Sequence, residues 1–244
     1  MPFSTLVALS CLFSLGIAQT ITGQYDCLPA GGFTLCQDLW NQSAGVGAQQ
    51  TTLLDSSTET VSWSTNWTWA NSPDNVKSYA NAKSLLSNGI QLQNISSAPT
   101  SWHWSYETQS SDIRADVSYD IWFGTESSGD PASSASSYEV MIWLAGLGGA
   151  QPVGTQITTG TFIAGLTWNL WKATNTNWEV FFFASAIGDI NSFDVDLNDF
   201  FKYLVEEQCV APTQYVQGIQ AGTEAFVGAG NLVTTAYSVS ILPT

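Results

Sequence analysis

Short runs in which hydrophobic and polar residues alternate recur along most of the chain, with turn-forming residues between them. The clearest of these runs read TVSWSTNWTW, SWHWSY, IRADVSYDIWF, YEVMIWLAG, LTWNLWKA, WEVFFFASA, YVQGIQAGTEAF and TTAYSVSIL. Alternation with a period of two is typical of strands that bury one face. The regular spacing of the runs predicts an all-β sandwich or barrel.

One segment, DVDLNDFFKYLVEEQ, has a helical period instead. Its hydrophobic residues recur three and four positions apart and share one face of a helix: Leu197, Phe200, Phe201, Leu204 and Val205. Asp194 or Asp196 is placed to cap the N-terminus. The segment therefore predicts one amphipathic helix packed on the back of a sheet.

The N-terminal segment MPFSTLVALSCLFSLGIAQ differs from the rest of the chain. A hydrophobic run from Leu6 to Leu15 leads to the small residues Gly16 and Ala18. This order is typical of a secretory signal peptide, and the run is too short to span a bilayer. We expect cleavage after Ala18, so that residues 1–18 are a signal peptide and residues 19–244 form one secreted, extracellular domain without a membrane anchor.

The charge of the chain restricts its partners. Twenty acidic residues face five Lys and Arg residues, which gives a formal net charge of −15 over 244 residues. Such a chain is repelled by nucleic acids and by anionic membrane surfaces. Three mature cysteines and a single histidine supply no cluster of metal ligands. We therefore expect a monomer that binds a neutral partner and uses neither a metal nor another cofactor.

Secretion changes the interpretation of the cysteines. Cys27 and Cys36 flank LPAGGFTL, which reads as a hairpin loop, so a disulfide bond between them is plausible in an oxidising environment. Cys209 then remains as a free thiol, which we expect to be buried. Three glycosylation sequons are also present, at Asn41, Asn66 and Asn94.

The run SYEVMIWLA contains an acid where a buried strand is expected. Side chains alternate between the two faces of a strand, so Tyr138, Val140, Ile142 and Leu144 form a core-facing stripe. The opposite face carries Glu139, Met141 and Trp143. An acid beside a methionine and a tryptophan is unusual for a solvated surface.

Two further runs repeat this arrangement. In IQAGTEAFVG, Glu224 shares a face with Gln220, Gly222 and Phe226; in DVSYDIWF, the aligned residues are Asp116, Ser118, Asp120 and Trp122. Three such strands suggest one groove lined by carboxylates and aromatic rings, which suits neutral sugars. Two carboxyl groups in a groove can cleave a glycosidic bond when one is ionised and the other is protonated. The competing interpretation is that each acid is an ordinary surface residue, because acids are mostly exposed.

Other chemistries find little support. His103 lies between two tryptophans and is interpreted as a structural or outward-facing histidine. The chain has no basic partner for a serine nucleophile and no glycine-rich phosphate loop, which argues against Ser/His hydrolysis and nucleotide chemistry.

Several motifs together resemble those of glycoside hydrolase family 12, the small fungal and bacterial endo-β-1,4-glucanases and xyloglucanases. The motifs read YEVMIWLAGLGGAQPVG, GTEAFVGAG, ADVSYDIW, NVKSYANA, ISSAPTSWHWSY and DLNDFFKYLV. The resemblance runs in order from about Thr34 to Ile241. It implies a β-jelly-roll of two curved antiparallel sheets, with an open concave cleft and one α-helix on the convex side.

The resemblance also implies a retaining mechanism and a role for each motif residue. Glu139 would be the nucleophile, Glu224 the acid/base, and Asp120 the residue that hydrogen-bonds Glu139 and holds it. In a retaining site the two glutamates should lie about 5–5.5 Å apart. The cleft contacts carried over in the same way are Asp38, Trp40, Met141, Trp143, Pro152 and Phe226, with Trp40 as a stacking platform.

Three functions remain open at this stage. The first is a secreted endo-acting hydrolase of a β-1,4-glucan or xyloglucan chain, and WLAGLGGAQPVG and LNDFFKYLV look closer to the xyloglucan-cleaving branch. The second is a non-catalytic polysaccharide-binding or decoy protein on the same fold, which would be marked by loss of Glu139 or Glu224. The third is a xylanase of the related jelly-roll family.

Overall fold

The alternating runs form strands that stack in two layers. The computed structural model describes residues 19–175 and 177–244. The predicted signal peptide, residues 1–18, therefore lies outside the described residues. The layers match the predicted β-jelly-roll sandwich, and a helix packs against them.

The back layer consists of five strands and the second half of a sixth. Its order across the sheet follows from the strand pairing: β1 (Gln19–Ile21), β4 (Val46–Ser56), β5 (Val61–Ala70), the C-terminal half of β15 (Tyr215–Val239), β8 (Pro99–Gln109) and β14 (Ser192–Asp196). All of these pairs are antiparallel. A separate short pair lies beside the layers and joins β7 (Ile95–Ser97) to β16 (Leu242–Pro243).

The front layer is larger. Its order is β2 (Cys27–Ala30), β3 (Phe33–Cys36), β6 (Ser78–Ser84), the N-terminal half of β15, β9 (Arg114–Gly124), β10 (Ser136–Leu147), β13 (Glu179–Ser185), β12 (Leu166–Thr174) and β11 (Thr155–Ile163). One pair departs from the predicted antiparallel sheets, because β10 and β13 run parallel. The chain leaves β10, builds the outer strands β11 and β12, and returns inward, so that β13 has the same direction as β10.

The strand β15 belongs to both layers. Sequence analysis predicts two strands here, YVQGIQAGTEAF and TTAYSVSIL, whereas the structure contains one strand of 25 residues. Its first half pairs with β6 and β9, and its second half pairs with β5 and β8. The passage between layers falls at Gly228, whose φ of +96° and close approach to Ile113 leave no room for a side chain.

The core fills the space between the two layers. The face of β10 that carries Val140, Ile142 and Leu144 is fully buried, as the alternation predicts. It joins a cluster rich in aromatic residues from the back layer, among them Trp63, Trp102 and Tyr237. The opposite face of β10, with Glu139, is therefore turned away from the core.

The helix α1 (Asn198–Glu207) packs on the core side of the front layer, as predicted. Phe200 lies edge-on to Phe183 of β13 and to Trp168 of β12, with ring centroids 5.1 and 5.2 Å away. Phe201 and Leu204 are buried beside it. The helix thus supports the front layer from the side opposite Glu139.

The predicted helix cap is wrong in its position. Asp194 and Asp196 both lie in β14, and Leu197 precedes the helix without a side-chain capping hydrogen bond. Asp196 nevertheless contributes, because its Oδ1 accepts hydrogen bonds from the backbone N–H of Asn198 at 2.9 Å and of Ala98 at 2.6 Å. The carboxylate therefore joins the helix start to the loop before β8.

The predicted disulfide bond between Cys27 and Cys36 is present and ties β2 to β3. The expectation for Cys209 is wrong, because its side chain is exposed. Cys209 follows the last helical turn with a φ of +58°, and this left-handed conformation turns the chain out of the helix at the surface.

The remaining surface features follow from the strand faces. His103 faces outward on β8 and contacts Ser101, Ser192 and Asp194. Of the sequons, Asn66 and Asn94 are exposed, whereas Asn41 is half-buried and donates its side-chain N–H to the Val76 carbonyl. Within the described ranges, no helix is long and apolar enough to cross a membrane.

The disulfide bond gives a first prediction. Replacing Cys27 and Cys36 together by alanine should lower the free energy of unfolding by about 2–3 kcal/mol, because the bond closes a short loop in the unfolded chain. Urea unfolding followed by tryptophan fluorescence measures this change. The exposed Cys209→Ser is the control and should leave the free energy of unfolding nearly unchanged. An equal stability of the double variant and the wild type would contradict the prediction.

Candidate active site

The acids that sequence analysis aligned lie on three neighbouring strands of the front layer. Asp120 of β9 stands opposite Met141 of β10 on one side and opposite Gln220 of β15 on the other. Glu139 lies two residues before Met141, and Glu224 lies four residues after Gln220. All three acids project from the face that the back layer does not cover.

Glu139 receives a hydrogen bond from a tryptophan on the next strand. The indole Nε1 of Trp178, just before β13, donates to Glu139 Oε2 at 2.7 Å. Burial raises the pKa of Glu139 above its ordinary value, and this hydrogen bond opposes the rise because it stabilises the carboxylate. Glu139 is half-buried, so part of the side chain remains accessible to a ligand.

Asp120 lies on the strand next to Glu139 and is less exposed to solvent. Trp122 Nε1 donates to Asp120 Oδ2 at 2.9 Å, while Oδ1 is buried without a hydrogen-bond donor. Burial and the nearby charge of Glu139 raise the pKa of Asp120 well above its ordinary value. The rings of Trp122 and Trp178 meet edge to face at 5.0 Å, so the two indoles that serve these acids support each other.

Glu224 has a different environment. Its pKa is raised well above the ordinary value by burial first, and then by Asp116, Glu139 and Asp120. No donor of the kind that Trp178 provides to Glu139 opposes this rise. Because the charge of Glu139 contributes to the raised pKa of Glu224, the two side chains belong to one electrostatic site, although they are 85 residues apart in sequence.

Two cavities flank the acids along the front layer. A cavity of about 540 Å³ extends from Asp120 and Trp122 towards β2 and β3, and the Cys27–Cys36 disulfide bond lines it. A smaller cavity of about 280 Å³ lies over β10, β13 and β12 and includes Trp143 and Pro152. Asp120 lines the larger cavity and Trp143 the smaller one, so both cavities open on the face of the front layer that carries the acids, and we call this face the groove.

The predicted cleft contacts divide into three groups. Asp38 lines the larger cavity, where burial raises its pKa to about 6, and Trp40 nearby is 49% exposed, which leaves a ring face free for stacking. Trp143 and Pro152 line the smaller cavity. Met141 and Phe226 are almost fully buried in one apolar cluster with Trp143. Met141 and Phe226 line neither of the two cavities, so they form the floor of the groove.

Sequence analysis missed two functional candidates. Trp178 lies at the start of its strand, where alternation carries no information about a ring that reaches across to β10. Asp116 was aligned with Asp120 but received no role, although it is fully buried next to Glu224. No sequence pattern distinguishes this acid from a surface acid. In the described part of the chain, no cluster of His, Cys, Asp and Glu is arranged to hold a metal ion.

The sequence is similar to those of known proteins over almost its whole length. The model of the family "Glycosyl hydrolase family 12" matches residues 31–242. The chain is 43% identical to xyloglucan-specific endo-beta-1,4-glucanase A of Aspergillus aculeatus, with 97% of each chain covered. It is 42% identical to the enzyme of the same name from Emericella nidulans, with 97% of this chain and 99% of that one covered.

Solved structures agree with these relatives. Trichoderma harzianum endoglucanase 3 superimposes with a TM-score of 0.86 at 33% identity, covering 94% of this chain and all of that one. The catalytic domain of Humicola grisea Cel12A, solved with a soaked thio cellotetraose, gives 0.84 at 33% identity, with 92% and 99% covered.

The family model, the full-length relatives and the shared jelly-roll fold identify this protein as a glycoside hydrolase of the endo-β-1,4-glucanase class. The match over nearly the whole described chain makes the assignment specific, and the chain belongs to glycoside hydrolase family 12.

The hydrogen bond to Glu139 gives a second prediction. Trp178→Phe removes the Nε1 donor and should raise the pKa of Glu139, because the carboxylate loses a partner that the protonated form does not need. NMR titration of the glutamate side-chain carboxyl carbons measures this pKa. Trp171→Phe, which alters another half-exposed indole on the same face, should leave it unchanged. A Trp178→Phe variant with an unaltered or lower pKa would show that the hydrogen bond does not stabilise the carboxylate.

Proposed function

We propose that this protein is a secreted, retaining endo-β-1,4-glucanase that hydrolyses xyloglucan, with Glu139 as nucleophile and Glu224 as acid/base. The observation that carries the assignment of roles is the asymmetry of the two glutamates. Glu139 accepts a hydrogen bond from Trp178, whereas Glu224 faces other carboxyl groups. Both pKa values are raised by burial, but the Trp178 hydrogen bond stabilises the anion of Glu139, whereas the neighbouring carboxyl groups favour the protonated form of Glu224.

These environments fit the two steps of a retaining hydrolysis. In the first step Glu139 attacks the anomeric carbon, and Glu224 gives its proton to the departing glycosidic oxygen. In the second step Glu224 accepts a proton from water, the water oxygen bonds to the anomeric carbon, and the bond to Glu139 breaks. The enzyme returns to its starting protonation state, with β stereochemistry retained.

Asp120 supports Glu139 in this scheme. Its raised pKa keeps a proton on the carboxyl group, and Oδ1 is the buried oxygen without another donor. A proton on Oδ1 can be donated to Glu139, which would hold the nucleophile in place and stabilise it as the leaving carboxylate of the second step. The expected hydrogen bond between Asp120 and Glu139 thus remains a prediction, as does the separation of about 5–5.5 Å between Glu139 and Glu224.

The substrate follows from the groove and from the relatives. An open groove with cavities on both sides of the acids suits binding of a polysaccharide in the middle of its chain. Trp40 is proposed to stack on a sugar ring beyond the larger cavity, with Asp38 accepting hydroxyl hydrogens. Xyloglucan is favoured because the relatives at 43% and 42% identity carry that specificity in their names.

The catalytic roles lead to a third prediction. Glu139→Gln should lower kcat/KM on soluble xyloglucan at least about 1,000-fold, because an amide cannot form the glycosyl-enzyme. Glu224→Gln should lower it by about 100- to 10,000-fold, the range for loss of a general acid. Release of reducing ends measures both. Glu179→Gln is the matched control, since Glu179 lies on the neighbouring strand but on the opposite face, and it should retain activity.

Azide separates the two roles. With an aryl glycoside substrate, Glu139→Ala should give an α-glycosyl azide, because azide enters on the face that the nucleophile vacates. Glu224→Ala should give the β-glycosyl azide, because azide then attacks the glycosyl-enzyme from the other face. The reverse pattern would exchange the roles, and full activity of both glutamine variants would refute the proposal in favour of a different site.

The substrate assignment leads to a fourth prediction. Wild-type enzyme should have a higher kcat/KM on xyloglucan than on undecorated mixed-linkage β-glucan, measured at equal mass concentration. Trp40→Ala should raise KM on both substrates by about 10-fold or more, the scale for loss of one stacking ring. A preference for undecorated glucan would leave the hydrolase assignment intact and move the substrate to plain β-glucan; activity on xylan alone would overturn both.

A further inference from the structure

Asp116 is a buried acid that the reaction scheme above does not use. It lies on β9, next to the part of β15 that carries Glu224, and its side chain is fully buried. Asp116 Oδ1 accepts hydrogen bonds from Ser118 Oγ at 2.9 Å and from the backbone N–H of Glu224 at 3.2 Å. These two bonds fix the carboxyl group against the backbone of Glu224.

The carboxyl groups of Asp116 and Glu224 also lie on the same face of neighbouring strands, close enough for each to shift the pKa of the other. Two carboxylates contain no donor, so a hydrogen bond between them requires that the pair holds at least one proton. Asp116 Oδ2 is buried and has no other donor in the described part of the chain. A proton on the buried Oδ2 of Asp116 is therefore placed to be shared with Glu224.

The order in which the pair loses protons follows from the surroundings. Burial raises the pKa of Asp116 to about 6, and the hydrogen bonds from Glu224 and Ser118 oppose the rise. Burial and the charge of Asp116 also raise the pKa of Glu224, and of the two acids Asp116 has the carboxylate that Ser118 Oγ and the Glu224 N–H stabilise. Asp116 is thus the first of the two to ionise as the pH rises.

The groups around the pair do not supply a compensating charge. The titratable side chains that face it come from four strands: Tyr79 of β6, Tyr106 of β8, Asp120 of β9 and Glu139 of β10. Both tyrosines have pKa values raised by burial and stay neutral. The nearest basic residue on β9, Arg114, is paired with Asp74 at 3.4 Å.

We propose that Asp116 is a positioning residue that must itself be neutral for Glu224 to alternate between acid and base. This inference rests on the proposed role of Glu224. When Glu224 gives its proton to the departing oxygen, a protonated Asp116 can donate a hydrogen bond to the new carboxylate. When Glu224 regains a proton from water, the hydrogen bond reverts. Asp116 keeps its own proton throughout, so the overall reaction remains simple hydrolysis.

Ionised Asp116 has the opposite effect. It accepts the proton of Glu224 in a hydrogen bond directed away from the substrate, and proton release would then leave two adjacent buried negative charges. Glu224 becomes too weak an acid, and the glycosidic oxygen is not protonated. Activity should therefore decline as Asp116 ionises, before Glu224 itself loses its proton.

Asp116→Asn tests this inference through the pH dependence of kcat/KM on xyloglucan. Asparagine keeps the Oδ1 acceptor and places an N–H donor towards Glu224, but it cannot ionise. The alkaline limb should move to higher pH by about one unit, because it is then set by Glu224 alone. An alkaline limb that stays at the wild-type pH would overturn the inference. An alkaline limb that moves to lower pH would also overturn it, because ionised Asp116 would then support Glu224 as an acid.

Ser118→Ala provides an independent measurement, and it also serves if Asp116→Asn does not fold. Removing the Ser118 donor should raise the pKa of Asp116, so the alkaline limb should move to higher pH, by less than in Asp116→Asn. In the Asp116→Asn background the same change should produce no further movement. A limb that does not move with Ser118→Ala, or that moves equally in both backgrounds, would overturn the inference. Asp55→Asn, at an exposed position of β4 in the back layer, controls for loss of one negative charge.

Failure of the inference is distinguishable from failure of the proposed function. If Glu224 is not the acid/base, Glu224→Gln retains activity. If only the role of Asp116 is wrong, Glu224→Gln is inactive while Asp116→Asn keeps the wild-type pH profile.

Discussion

Carboxyl groups packed together without a neutralising cation are the constraint on which this site depends. No lysine or arginine of the described residues contributes to the pKa shifts of Asp116, Asp120, Glu139 and Glu224. Burying several unpaired charges would cost several kcal/mol each. The molecule avoids this cost by keeping protons on some of the acids and by giving others N–H donors. In the proposed scheme Glu139 is then ionised while its acidic neighbours keep their protons, which is the difference that a two-carboxyl mechanism requires.

The strands convert this electrostatic constraint into geometry. Because β10, β9 and β15 are neighbours, acids distant in sequence stand on one face, and the indoles of Trp122 and Trp178 can each reach one of them. The aromatic core and the helix α1 support the same strands from behind. Rigid support matters because a hydrogen-bond donor stabilises a carboxylate only while its distance is maintained.

Much of this arrangement could be predicted from the sequence. Alternation identified the strands and the face of Glu139, and helical spacing identified α1, because both are local properties of the chain. Strand order is not local, so alternation could only suggest that Glu139, Asp120 and Glu224 share a groove, and the family resemblance supplied the expectation that the two glutamates meet. The alternation could not show the partners that cross between strands, such as Trp178, or the continuity of β15 through Gly228. The surface position of Cys209 was missed because it depends on a left-handed residue after the helix.

The sharing of β15 between both layers has a consequence for how the molecule can move. A single backbone carries Glu224 in the front layer and, a few residues later, pairs with β5 and β8 in the back layer. The layers therefore cannot slide past each other or separate without breaking hydrogen bonds on this common strand. Any opening or closing of the groove is therefore expected to come from bending within the front layer and from its loops. The two sheets should move together, because β15 joins them.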